Sequence, residues 1–174
     1  RVLTAGSVEH SIVNGMGGAD VGTMTGSAGN DNLSATPTTA TLTGLGFSQQ
    51  LNGFVQTTTT GNGGLDNAVL FDSAGNDTFI SDTTTARLFG AGFYNRATGF
   101  TNVTAAATTG LDVATLTGTA GKDRFVGRST QAVLISGSQT QGTVGFDKVV
   151  ANGAGGTDDV TRLFDTAANN QFIA

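Results

Sequence analysis

Cysteine and tryptophan are absent from this 174-residue chain, and proline and histidine each occur once. Without cysteine there is no disulfide, no thiolate nucleophile and no cysteine-held zinc or iron–sulfur cluster. Charge is scarce too, at 12% of residues with a net of −5. A chain this poor in Lys and Arg has little with which to neutralise phosphates, which argues against a nucleic-acid partner. No run of 18 apolar residues is present, so no segment reads as a membrane-spanning helix. Glutamate occurs only at Glu9, and no apolar stripe of period 3.6 lasts three turns, so helix signals are missing. With neither an initiator Met nor a signal peptide, the chain reads as a mature product or an excerpt of a longer one. What remains is rich in glycine, with 27 residues, and in threonine, with 30.

Those residues repeat. Gly26-Ser27-Ala28-Gly29-Asn30-Asp31 returns as Asp72-Ser73-Ala74-Gly75-Asn76-Asp77 and as Gly118-Thr119-Ala120-Gly121-Lys122-Asp123. A decayed copy ends at Asn170. The same spacing of 46 relates Asp20, Asp66, Asp112 and Asp158, and also Phe54, Phe100 and Phe146, and residues 18–63 match 64–109 at 17 of 46 positions. A sustained period in this range signals a solenoid or array. The chain divides into modules 1–39, 40–85, 86–131 and 132–174, all within a single domain spanning 1–174.

Within a module, Ala86-x-Leu88-x-Gly90, Phe100-x-x-Val103-x-Ala105 and Asp112-x-Ala114-x-Leu116 alternate as strands do. Threonine and valine at the outward positions suit a pleated surface. The fold class is all-β. One 46-residue coil would have a perimeter above about 100 Å, too wide for the available apolar residues to fill. The expectation is therefore a parallel β-solenoid with two coils of roughly 23 residues per module, about eight coils and roughly 38 Å long. Leu88, Val103, Leu116 and Phe125 should stack with their counterparts in the core.

Gly29-Asn30-Asp31-Asn32-Leu33 and Gly75-Asn76-Asp77-Thr78-Phe79 resemble half of the glycine- and aspartate-rich nonapeptide of RTX-type (hemolysin-type) calcium-binding repeats. The longer string around them is similar to repeats of large secreted bacterial surface proteins. The resemblance implies a β-solenoid, a secreted or cell-surface location, and Ca²⁺ as the possible cofactor. Carried over, its metal ligands would be Asp31, Asp77 and Asp123. Read from the residues alone, the same motif is a tight turn in which Gly and Asn accept positive φ and Asp caps the next strand. Calcium wants six to eight oxygens, and copies 46 residues apart do not share an ion. The column Asp20, Asp66, Asp112 and Asp158 follows Gly-x each time, and a site drawing on both columns stays open.

Other motifs carry less. Thr57–Thr60, Thr83–Thr85 and Thr108–Thr109 do not keep the strict register an ice-binding ladder needs. His10 has no catalytic partner by spacing, and the basic group Lys122, Arg124 and Arg128 occurs in one module only, so no catalytic residue is assigned and the chain is not expected to be an enzyme. The sequons at Asn32, Asn76 and Asn102 fit glycosylation. Phe54, Phe100 and Phe146 are periodic enough to be core, which leaves Tyr94 as the aromatic a glycan would need.

The whole-module phasing puts strand residues Val2, Leu3, Phe172 and Ile173 at the termini. The functional expectation is a non-catalytic extracellular structural repeat that stacks head to tail with itself into a fibre or matrix. The alternatives are an RTX-like calcium-binding module, and a carbohydrate-binding or lyase-like β-helix.

Overall fold

The computed structural model describes residues 9–164. The proposed stacking residues Val2, Leu3, Phe172 and Ile173 lie outside them. Seventeen strands and no helix form among the described residues. They are β1 (His10–Asn14), β2 (Val21–Thr25), β3 (Asn32–Ala35), β4 (Thr39–Gly44), β5 (Phe47–Asn52) and β6 (Gln56–Thr60). Next come β7 (Asn67–Phe71), β8 (Thr78–Ser81), β9 (Thr85–Gly90), β10 (Phe93–Thr98), β11 (Asn102–Ala106) and β12 (Val113–Thr117). The last are β13 (Asp123–Gly127), β14 (Gln131–Ser136), β15 (Gln139–Val144), β16 (Lys148–Asn152) and β17 (Val160–Leu163).

The chain folds as an all-β, parallel β-solenoid of about four turns. Its strands belong to two sheets, ordered β1-β5-β4-β3-β7-β11-β15-β14-β13-β17 and β16-β12-β8-β9-β10-β6-β2. Every parallel pair joins a strand to the one four places later: β1 with β5, β2 with β6, β3 with β7, and so on to β13 with β17. The module is legible in this order. β3, β4 and β5 form an antiparallel meander in the larger sheet, β6 crosses to the smaller one, and β7 returns. β8, β9 and β10 then build the same meander in the smaller sheet, and β13, β14 and β15 build it again in the larger.

The meanders of successive 46-residue modules therefore lie in opposite sheets. Residues 35 apart, not 46, become neighbours, as in Asn32↔Asn67↔Asn102. Across a meander the step is 38, as in His10↔Ser48 and Thr57↔Asn95. The expected coils of roughly 23 residues, two per module, do not form, because three strands of each module stay in one sheet and consume chain without winding. The meander closes through two-residue turns, Leu45-Gly46, Ala91-Gly92 and Gly137-Ser138, in which the glycine takes positive φ (78°, 81° and 60°). The module starts at 40, 86 and 132 fall inside the middle strands β4, β9 and β14; the structural unit begins one strand earlier.

Burial follows the alternation read from the sequence. Leu42, Leu88 and Leu134 at the centre of the three meanders are buried, as are Ala40, Ala86 and Ala132. Leu33, Phe79, Val103 and Leu116 join them in one core built by both sheets, and Phe125 packs against it partly buried. Phe100 and Phe146 are core, with Phe146 6.1 Å from Phe79 between ring centroids, and Phe54 packs on the same cluster. His10–Asn14, whose segment lacks the Gly-Phe-x-x-Val pattern, nevertheless takes the place beside β5 that β6 takes beside β10.

Candidate functional site

The repeated turn has the same internal bonding in all three described copies. The backbone N–H of Ser27, Ser73 and Thr119 donates to Oδ2 of Asp31, Asp77 and Asp123 at 2.6, 2.8 and 2.8 Å. The hydroxyls of the same three residues accept the N–H of Gly29, Gly75 and Gly121 at 3.0–3.1 Å. This is the turn-and-cap role read from the motif, with each Asp opening a strand of the meander.

The second Asp column locks each turn to the next coil. Asp31 N–H donates to Asp66 Oδ1 at 2.8 Å, Asp77 N–H to Asp112 Oδ1 at 2.8 Å, and Asp123 N–H to Asp159 Oδ1 at 2.9 Å. The third contact uses Asp159 rather than the expected Asp158, which instead takes positive φ at 66°. In return, Asn30 and Asn76 accept the N–H of Leu65 and Leu111 at 2.8 and 2.9 Å. Lys122 stands in their place in the third copy and has no acceptor to offer. The Asn-Asp pair is thus a staple between coils, satisfying backbone donors that leave the sheet at each corner.

The middle copy departs from this plan. Position 26 and its counterpart 118 are glycine, and a Cβ at either would strike the Asp Oδ2 of its own turn. The middle copy carries Asp72 there instead. Its carboxylate accepts Thr108 N–H at 2.7 Å and the Thr108 hydroxyl at 3.0 Å. Asp72, Asp77 and Asp112 are all buried, and one ligand oxygen from each lies within 4.8 Å of the others. Of the candidate ligands, then, only Asp77 belongs to a cluster. Asp31 and Asp123 open β3 and β13, five strand spacings or about 24 Å apart along the larger sheet.

Burial raises the Asp112 carboxyl above its usual range, and the charges of Asp72, Asp77 and Asp147 add to the rise against the bond from Asp77 N–H. Asp66 is raised in the same way by burial and by Asp31. Asp77 Oδ1 is buried without a hydrogen-bond partner and sits over Gly90, where a Cβ would collide with it. Three carboxylates, one of them with an orphaned oxygen, make an all-oxygen donor set of the kind a hard cation takes. The buried Asp cluster is able to hold a metal ion. Asp112 belongs to the second Asp column, so the cluster draws on both columns, while Asp72 was no candidate ligand. The signal for Asp72 was present as a change from Gly in one copy, but its partner Asp112 is identified only by the 35-residue step.

The remaining candidates are scattered. His10, Lys122, Arg124 and Arg128 are exposed, and Arg128 lies 4.7 Å from the centroid of the Phe164 ring. Thr57 and Thr59 point into the core while Thr58 and Thr60 face out, so the threonine run forms no continuous outer ladder. Tyr94 stacks on Phe89 at 5.9 Å.

No protein-family model, curated protein or solved structure matches the chain. The fold and its turn chemistry define a β-solenoid repeat protein, and the functional reading rests on this geometry.

Proposed function

We propose that the chain is a non-catalytic structural repeat of a secreted or cell-surface protein, extending as a rod by pairing of its sheet edges with further copies or with further repeats. The observation that carries this reading is the uniform rule of strand n with strand n+4. Among the described residues, β1 and β2 form the edges at one end, β17 and β16 those at the other. A parallel edge with unpaired N–H and C=O groups is a template for the next strand, and a head-to-tail contact that does not close yields filaments. Electron microscopy and sedimentation over rising concentration test it. Rods that lengthen with concentration are the expected result; a monomer at millimolar concentration would exclude self-stacking.

A second reading, favoured by the buried triad, is an RTX-like calcium-dependent module with Asp72, Asp77 and Asp112 as ligands. A cation that binds only the folded chain stabilises it by about 2.7 kcal/mol at a hundredfold excess over its Kd. Melting in chelator and in millimolar calcium separates the two readings, since edge pairing needs no ion. Identical curves remove the calcium reading and leave the first untouched.

A further inference from the structure

The outer face of the central meander carries a constellation that neither flanking meander has. On β9 and β10, Arg87 lies directly opposite Arg96, and Phe89 directly opposite Tyr94. The two rings are stacked, with 28° between their planes. At the same lattice points β4 and β5 carry Thr41 opposite Gln50 and Thr43 opposite Ser48. In β14 and β15 they are Val133 opposite Gly142 and Ile135 opposite Thr140. The scaffold therefore forms without the arginines and without the aromatic pair.

Like charges directly opposite on a sheet, with Cβ atoms about 4.5–5.5 Å apart, oppose folding. Here the surroundings do little to relieve that. Arg96 is exposed, and Arg87 is half-buried with its Nε buried and unpartnered. Asp82 in the β8–β9 turn feels the Arg87 charge and offsets part of it, though its Oδ1 is held by Thr84 N–H, the Thr84 hydroxyl and Thr85 N–H. Two adjacent guanidinium forks without a bound carboxylate, beside a partly exposed aromatic pair, are half of a recognition site.

We infer that this face binds an acidic polysaccharide of the uronate type. The planar forks match a sugar carboxylate and bind it bidentately. The apolar C–H face of the pyranose packs on Tyr94 and Phe89, whose rings offer rigid apolar area. Thr58 on β6, beside Arg96, continues the row and gives hydroxyl groups a partner. The aromatic pair favours a sugar over a polyphosphate, which has no apolar C–H face to lay on it. The inference is independent of end-to-end stacking and of calcium.

The test is affinity electrophoresis of the full chain, at a concentration where sedimentation finds it monomeric and in the presence of chelator. The gels hold polygalacturonate, its fully methyl-esterified form, dextran sulfate, dextran or single-stranded DNA. Retardation by polygalacturonate that vanishes on esterification is expected. Arg87→Gln with Arg96→Gln should weaken it by at least about tenfold, Tyr94→Ala should weaken it further, and Arg124→Gln elsewhere on the surface should leave it unchanged. Melting curves of each variant confirm that it is folded, and Arg96→Gln alone, at an exposed position, reads the site if the double variant is not. Absence of retardation by polygalacturonate overturns the inference. So does binding that survives loss of both arginines, or equal retardation by DNA or dextran sulfate.

Discussion

The central meander, β8–β10, and its two neighbours, β3–β5 and β13–β15, share a backbone and a core but differ in what they carry. Leu42, Leu88 and Leu134 are equally buried at their centres. Around that common core the flanking copies agree with each other. Gln49 and Gln141 reach carbonyls 24 residues back, at Thr25 and Thr117, at 3.4 and 2.8 Å. Asn95, one methylene shorter, turns instead to Thr36 O at 2.8 Å and accepts from the Thr57 hydroxyl at 2.6 Å. Of the three described copies, the middle one alone has a carboxylate, Asp72, where the others have glycine, and alone has two opposed arginines. A repeat must conserve its packing to stack at all, whereas its outer face and corners are open to specialisation. The central copy has used both.

If the cores are equivalent, breaking them should cost the same. Leu88→Ala and Leu42→Ala should each lower stability by about 2–5 kcal/mol, as buried Leu→Ala changes do, with values that agree in urea melts. A much smaller loss at one of them would mean the meanders are packed unequally.

The corner should instead distinguish the copies. Asp72→Gly converts the middle turn to the flanking sequence, so any gain in melting temperature from calcium should disappear with it, while Gly26→Ser in the first copy should confer none. In chelator Asp72→Gly should melt no lower than the parent chain, because it removes one of three mutually repelling carboxylates at the cost of the bonds to Thr108.

Acid acts on the same groups. Asp112 and Asp66 are raised above 3.8 in the folded chain, so folding favours their protonated forms. The stability they add is present in full below 3.8 and is lost as pH rises through their folded values. Asp82 runs the other way. Burial opposes its charge, but bonds from Thr84 and Thr85 and the nearby Arg87 outweigh that and hold it low, so its contribution is present above 3.8 and fades as pH falls through its folded value. Melting temperature should therefore climb from neutrality into mild acid. Asp112→Asn, which keeps the acceptor for Asp77 N–H, should flatten the climb more than Asp66→Asn, since three carboxylates act on Asp112 and one on Asp66.

The smallest effect concerns the staple. Asn30→Ala and Asn76→Ala each remove an exposed hydrogen bond to a backbone N–H and should cost about 0.5–1 kcal/mol, measured by urea unfolding. Lys122→Ala, with no such bond to lose, should cost nothing measurable.

Much of this was open to the sequence. The 46-residue period, the strand alternation, the Leu88 and Phe100 columns and the capping role of Asp31, Asp77 and Asp123 all follow from spacing and turn chemistry. The coil length differs because the perimeter argument counts every residue of a module as winding chain. The two-residue glycine turns at Leu45-Gly46 and Ala91-Gly92 signalled hairpins, and hairpins keep consecutive strands in one sheet. The hairpins decide which residues meet. Asp77 meets Asp112 only across a 35-residue step, and Arg87 faces Arg96 only if β9 turns back on itself.

Amide hydrogen exchange, followed strand by strand as concentration is raised, tests the edge-pairing solenoid most directly. In dilute solution Leu70, Phe79 and Leu88, within paired strands, and Phe100, buried at the β10–β11 corner, should exchange slowest, and the edge strands β1, β2, β16 and β17 fastest. At concentrations that produce rods the edge strands should slow toward the rate of the centre while the centre stays unchanged. Edge strands already as protected as Leu88 in the monomer, or unaltered on concentration, would contradict the account.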